Sequence, residues 1–185
     1  MPSAVHPLSL IPLGLLLGEA ALGLLSVNPI QDLILRTGKA GLVLLLLTLA
    51  CTPLKRLTGW KWLLALRKPL GLYSFLYVSL HLVAFAVIDF GLDLALISQA
   101  IAEKRYVLAG MASFSLLLPL ALTSTKAAQR RLGRWWRPLH RLIYPAALLA
   151  ALHYLWLAKV PREPLIFLAI LGGLLALRLP WWRIR

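Results

Sequence analysis

Apolar residues in this chain come in long runs that charged residues interrupt only at intervals. Six runs stand out, near Leu8–Val27, Thr37–Leu54, Pro69–Asp89, Tyr106–Thr123, Pro138–Ala158 and Pro164–Leu179. Each approaches the length of about 20 residues that a helix needs to cross a bilayer. Their leucine-rich texture suits helices, because membrane-barrel strands alternate apolar and polar positions. The expected fold is an all-α membrane protein: a bundle of six transmembrane helices in a single domain over residues 1–185, with a cofactor-binding interior. Composition supports this. The chain is 61% hydrophobic and only 14% charged, against about 25% charged in a soluble domain. Disorder is excluded by the same surplus of apolar residues. No sequence repeat of fixed period and no low-complexity linker is evident. A secretory leader begins with basic residues; Met1–Pro7 has none and Glu19 breaks the first run, so that run is read as a span.

The net charge is +14. In a soluble protein that would suggest nucleic acid; here no nucleic-acid partner is expected, because the bases sit in loops. Lys55, Arg56, Lys61, Arg67 and Lys68 separate runs two and three. Lys126, Arg130, Arg131, Arg134, Arg137 and Arg141 surround the start of run five, and Arg178, Arg183 and Arg185 close the chain. The opposite loops carry fewer bases (Arg36, Lys39, Lys104, Arg105, Lys159, Arg162) and nearly all the acids: Asp32, Asp89, Asp93, Glu103 and Glu163. Basic loops stay cytoplasmic, which places both termini in the cytoplasm. Trp60, Trp62, Trp135, Trp136, Trp181 and Trp182 flank the cytoplasmic ends as interfacial anchors, and Trp156 does so near the outer end of run five. The lone Cys51 allows no internal disulfide and no cysteine metal site.

Of four histidines, three lie in or at the start of runs: His81, His140 and His153. Polar groups inside a membrane are costly and point to function, and neutral imidazole is a common ligand of haem iron. His81 is 12 residues into run three, roughly 18 Å deep, and His153 is 15 residues into run five, roughly 22 Å deep. Both runs travel outward, so the two imidazoles reach nearly one level, closer to the outer face. A haem held by His81 and His153 fits that geometry. His140 lies roughly 20 Å lower on run five and about 220° around an ideal helix from His153, unless Pro145 bends the helix. It is read as a lower-site residue with three open roles: second haem ligand, quinone contact or interfacial histidine. The position fourteen before His81 is Arg67, and His6 lies at the lower level in the N-terminal tail.

Several segments resemble the MsrQ family, within the ferric-reductase-like transmembrane group. They are Asn28-Pro-Ile-Gln-Asp32, Arg36-Thr-Gly-Lys39, the LACTPL of residues 49–54, the RKPLGLYSFLYVSLH of residues 67–81 and, most specific, the long stretch from Leu122 to Trp156 that contains His140 and His153. The likeness runs from about Asn28 to Trp156; the outer loop departs from it, since Lys104-Arg105-Tyr106 lacks a proline common in the family. The resemblance implies haem b and FMN as cofactors. It also implies electrons drawn from membrane quinol and passed to a periplasmic molybdopterin-containing methionine sulfoxide reductase that repairs oxidised proteins. The family's haem-associated histidines match His81, His140 and His153; flavin contacts are not placed. On this reading the chain is an electron-transfer subunit and not the catalytic reductase itself.

Other residues carry narrower expectations. Arg36 and Lys39, at the outer end of run two, either snorkel to lipid headgroups or pair with haem propionates. Glu19, read as the one acid in mid-span, is either a hydrogen-bonded neutral group or a proton handler for quinol oxidation. Thr123, Ser124 and Thr125 end run four by bonding local backbone. Arg130, Arg131 and Arg134 form a solvated or lipid-facing cluster. No GxGxxG-type loop occurs, so a nicotinamide nucleotide is not expected as the direct donor. Ser79 lacks an orienting acid near His81, which argues against hydrolase chemistry. Two competing readings remain: a haem-free transporter or scaffold, and a stand-alone metal-ion reductase.

Overall fold

The structure, a computed structural model, describes residues 4–178. Trp181, Trp182, Arg183, Arg185 and the end of the sixth run at Leu179 lie outside the described residues. Helices α1 (Val5–Ala21), α2 (Pro29–Thr58), α3 (Leu63–Val83), α4 (Leu94–Glu103) and α5 (Arg105–Leu122) are followed by two short ones, α6 (Lys126–Leu132) and α7 (Trp136–His140). Helices α8 (Ile143–Leu157) and α9 (Arg162–Ala176) complete the bundle. No strand occurs among the described residues. Among the described residues, three helices are long and apolar enough to cross a membrane: α2, α3 with its extension to Asp89, and α5. Helices α1, α4 and α8 are apolar but shorter.

Local chemistry sets the boundaries. Asn28 caps α2 by accepting from Gln31 N–H at 3.1 Å, with Pro29 in the first turn, where its missing N–H costs nothing. The helix stops at Gly59, whose φ of +77° is left-handed and suits glycine. Beyond His81, α3 loosens into a π-helical turn over Ala84–Asp89. Thr123 and Ser124 turn their hydroxyls back onto Pro119 O and Leu120 O at the end of α5, and Thr125 caps α6 by accepting from Ala128 N–H, as expected for these three side chains.

Three expectations need correction. The first helix ends at Ala21, not near Val27, because the chain turns at Gly23 with φ +67°. The fifth run is not one helix: it breaks at Arg141–Leu142 between α7 and α8. Pro145 explains the break, since its absent N–H leaves Arg141 O without an i+4 partner; Tyr144 N–H takes that carbonyl instead in a tighter turn of 3.1 Å. A further helix, α4, stands where only a loop was expected, capped by Asp93, which accepts from Ala95 and Leu96 N–H.

Packing is dominated by two helix pairs, α2 with α3 and α5 with α8. Small residues permit close approach, as is usual between membrane helices. Ala146, Ala147 and Ala151 of α8 are fully buried against Leu45, Leu46 and Leu49 of α2 and Leu117 and Leu120 of α5. Many large apolar side chains face outward, among them Leu8, Leu15 and Leu17 of α1 and Leu165 and Ile166 of α9. Such extensive exposed apolar surface belongs against lipid.

Helix α1 is held to α3 by one hydroxyl. Tyr77, 1% exposed, donates to Ser9 O at 2.8 Å and accepts from Leu13 N–H at 2.9 Å. It thereby bridges a carbonyl and an amide that are i−4 partners within α1. Tyr77→Phe removes both links, and the expected loss is about 1 kcal/mol, a Tm drop of about 2–4 °C for a chain of this size. Thermal melts of detergent-solubilised protein would show it; an unchanged Tm would mean that the hydroxyl contributes nothing.

Candidate functional site

His81 and His153 meet at the centre of the bundle. Their ring centroids are 5.9 Å apart and the ring planes stand at 83°. Each ring is fixed from behind in the same way. The Nδ1 of His81 donates to Ile34 O at 2.8 Å, and that of His153 donates to Tyr106 O at 2.6 Å. A carbonyl only accepts, so both imidazoles carry their proton on Nδ1 and leave the Nε2 lone pair free for a metal. Behind each ring lies a glycine. A Cβ on Gly38 would stand 2.9 Å from His81 Nδ1, and one on Gly110 would stand 2.8 Å from His153 Nδ1. Neither leaves space for a methyl group.

These coincidences are systematic. Both histidine–carbonyl bonds span 47 residues. Ser74 Oγ donates to Gly41 O and Ser113 Oγ to Ala146 O, each at 2.8 Å and each across 33 residues. The second set lies 72 positions after the first: Gly38 and Gly110, His81 and His153, Gly41 and Ser113, Ser74 and Ala146. The chain therefore does contain a repeat, contrary to the reading of the sequence. It is a helix-pair unit, α2–α3 and then α5–α8, preserved in backbone contacts while most apolar side chains have been exchanged. In the serine bonds the donor has even moved to the other helix of its pair.

The two units enclose a cavity of about 370 Å³. Its walls correspond across the same displacement: Leu42 with Phe114, Leu45 with Leu117, Val78 with Ala150, Leu82 with Tyr154, Phe85 with Leu157. Toward the end of the bundle that bears the acids, the cavity reaches Asn28, Gln31, Lys39, Asp89 and Lys104. Two imidazole nitrogens alone do not hold a free ion, and the described residues contain no cluster of three or more metal-ligating side chains. An iron already bound in the plane of a porphyrin needs only two axial ligands. Metal–imidazole bonds of about 2 Å on each side suit rings at this separation. The apolar walls and the opposed, oriented imidazoles fit a haem.

Other expected residues fall elsewhere. Glu19 is not in mid-span: it stands in the last turn of α1, half-exposed, and pairs with Arg36. Arg36 also donates to Asp32 at 2.9 Å and does not line the cavity. Lys39 does line it, and it pairs with Glu163 at the start of α9. Tyr154 donates to the other oxygen of Glu163 at 2.7 Å. At the opposite, basic end, His140 is remote from the histidine pair. Trp136 stacks on it at 4.1 Å. Thr123 Oγ1 spends its one proton on Pro119 O at 2.6 Å, so His140 Nε2 donates to it at 3.1 Å. Thus the nitrogen left open on His140 is Nδ1, the reverse of the central pair. Ser79 bonds only Phe75 O of its own helix. The reading of the sequence missed Gly38, Gly110 and Tyr154. A signal for the glycines existed: each lies 43 positions before its histidine (38 to 81, 110 to 153).

Lys39 and the Tyr154 hydroxyl hold the Glu163 carboxyl below its ordinary value. A depressed carboxyl stabilises the fold above the usual carboxylate range, and that contribution fades as pH falls below about 4. Glu163→Gln keeps an acceptor for Tyr154 and removes the charge. Wild type is expected to melt slightly higher than this variant at pH 7, with the gap closing by about pH 3; a gap independent of pH would sink the assignment. The pair is exposed, so the gap is small.

Comparison with known proteins now bears on the site. The family model "Ferric reductase like transmembrane component" matches residues 37–151, a range that contains Gly38, His81 and Gly110 and ends two residues before His153. The heme-binding subunit MsrQ of a protein-methionine-sulfoxide reductase in Ralstonia nicotianae is 43% identical over 97% of this chain and 85% of its own length. The chain belongs to the MsrQ family. The MsrQ protein of Rhodospirillum rubrum is 46% identical over 85% of the chain and 76% of that protein. The one from Cronobacter sakazakii is 40% identical over 97% and 93% respectively. No solved structure matches. As an MsrQ-family chain of apolar helices, this is an all-α membrane protein.

Proposed function

We propose that this MsrQ-family chain is a membrane haem b subunit that carries electrons from quinol to a periplasmic molybdopterin-containing methionine sulfoxide reductase. The observation that carries the reading is the pair of imidazoles 5.9 Å apart, each pinned through Nδ1 to a backbone carbonyl. Haem bound there supplies one-electron chemistry. His81 and His153 would hold the haem iron through their free Nε2 atoms, leaving no open site on it, which would favour electron transfer over oxygen binding. Gly38 and Gly110 let the rings stand upright against α2 and α5, and the apolar walls keep water from the site. Lys39, which lines the polar rim of the cavity, is the cation offered to propionates; Arg36, which does not line it, is not. FMN is implied by the family resemblance alone.

The bundle crosses the bacterial inner membrane six times, α7 and α8 together forming the fifth crossing. Both termini lie in the cytoplasm, because the basic loops stay on that side. This orientation sets the histidine pair near the periplasm, where a soluble partner can reach it. His140, Thr123 and Trp136 form a polar cluster on the cytoplasmic side, suited to a second haem or a quinone.

The test uses purified protein from haem-supplemented cells. It should be red, show b-type bands with dithionite, and be reoxidised by purified partner reductase when methionine sulfoxide is added. A colourless protein would favour the transporter or scaffold reading. Reoxidation by ferric chelates but not by the partner would favour the metal-ion reductase.

A further inference from the structure

At the basic end, a shallow groove lies between α1 and α3, outside the histidine pair and away from the His140 cluster. Its floor is apolar, made by Pro69, Leu72 and Leu76, and it is flanked by His6, Tyr73 and Lys68. Leu72 and Leu76 are each 38% exposed, so the groove opens sideways toward lipid and not into the bundle. Polar side chains facing lipid are costly and imply a purpose. His6 and Tyr73 are joined: the imidazole Nδ1 lies 3.0 Å from the hydroxyl, and the rings meet edge to face with centroids 5.8 Å apart. The other ring nitrogen of His6 has no partner among the described residues. Burial leaves Tyr73 partly covered and His6 exposed.

We propose that this groove binds the head of a lipid-soluble quinol, with His6 Nε2 and the Tyr73 hydroxyl holding the ring hydroxyls and the apolar floor carrying the ring and tail. This rests on the quinol-donor reading and adds a place to it. Three observations select a quinol over other lipids. An imidazole–phenol pair offers both an acceptor and a donor at one spot, which matches a diol; a lipid phosphate needs cations, and only Lys68 supplies one. Access from the bilayer suits a ligand that never leaves it. The third is position on α3. Tyr73, the buried Tyr77 and His81 follow one another at four-residue steps and so share one helix face. The groove thereby lies two helical turns, about 12 Å, from the histidine pair.

The experiment uses the haem-loaded protein, with decylubiquinol as reductant and an azido-substituted quinone as photolabel. Wild type is expected to label on residues of α1 and α3 near His6 and Tyr73. His6→Phe and Tyr73→Phe should each cut labelling and the rate of decylubiquinol-driven haem reduction about tenfold, the loss of one hydrogen bond. The dithionite-reduced spectrum, which reports folding and haem content, should not change. If decylubiquinol fails to reduce wild type, the donor reading falls and this site with it. If wild type is reduced but both variants match it, or the label maps to Thr123 and His140, the site is overturned while the donor reading stands. Loss of labelling in Lys68→Gln alone, with His6→Phe and Tyr73→Phe unaffected, would also overturn it and mark the groove as a seat for anionic lipid headgroups.

Discussion

Replacing His153 by alanine is expected to leave the protein without haem, and His81→Ala is expected to do the same. On the proposed reading each ring would be one of two ligands, and each is held through Nδ1 to a carbonyl one helix away. A single remaining imidazole loses half the axial coordination. The vacated side also becomes a gap beside Gly110 or Gly38. The b-type spectrum should vanish or collapse to a weakly held, high-spin form, with haem content below a tenth of wild type. That loss corresponds to at least about 1.4 kcal/mol of affinity and is judged by pyridine haemochrome assay against protein mass. His140→Ala should retain the central haem, because His140 lies at the other end of the bundle with its Nε2 turned to Thr123. Full spectra from both central variants would remove the basis of the site.

The second large effect comes from residues that touch no ligand atom. Gly110→Ala places a methyl carbon 2.8 Å from His153 Nδ1, and Gly38→Ala places one 2.9 Å from His81 Nδ1. Either the ring turns out of line or the helices separate. Forcing a methyl group into a packed interior costs about 2 kcal/mol, roughly thirtyfold in haem affinity if the ring gives way. Gly71→Ala is the internal control. Its Cβ would meet Thr48 Cγ2 at 3.6 Å and Thr48 Oγ1 at 3.9 Å, ordinary contacts, and alanine in a helix interior is favoured over glycine by up to about 1 kcal/mol. Haem titration of the three variants should therefore separate Gly71→Ala from the other two. Three identical affinities would show that the close approach is unimportant.

What could be read from residues alone, and what could not, follows from how information is stored in a helical membrane chain. Depth is linear in sequence. Counting from Pro69 and Pro138 was enough to bring His81 and His153 to one level, and the structure sets their rings side by side. Lateral placement is not linear. Arg36 and Lys39 sit three positions apart on α2, yet one turns to Glu19 of α1 and the other to Glu163 of α9. Neither acid is near them in the chain. The break after His140 was anticipated only as a bend, because Pro145 acts on Arg141 O, four residues upstream. Helix α4 escaped because its apolar run is too short to suggest a span, although Asp93 before Leu94 is a cap signal. The repeat escaped for a different reason. What it preserves is contact geometry; Gly38/Gly110 and His81/His153 keep their identity across it, and the leucines that also match are lost among the many leucines of the chain.

The doubling of the helix pair has a consequence for any flat guest. Two like walls grip a disc by its middle and give it no reason to prefer one way up. Preference has to come from the rim, where the copies diverge: Lys39 stands opposite Met111, and Tyr154 opposite Leu82. Lys39 and Tyr154 converge on the same carboxylate of Glu163, so the departures from symmetry gather at one edge. The likeness of the two helix pairs thus accounts for the grip, and the unlike residues at the rim for the orientation.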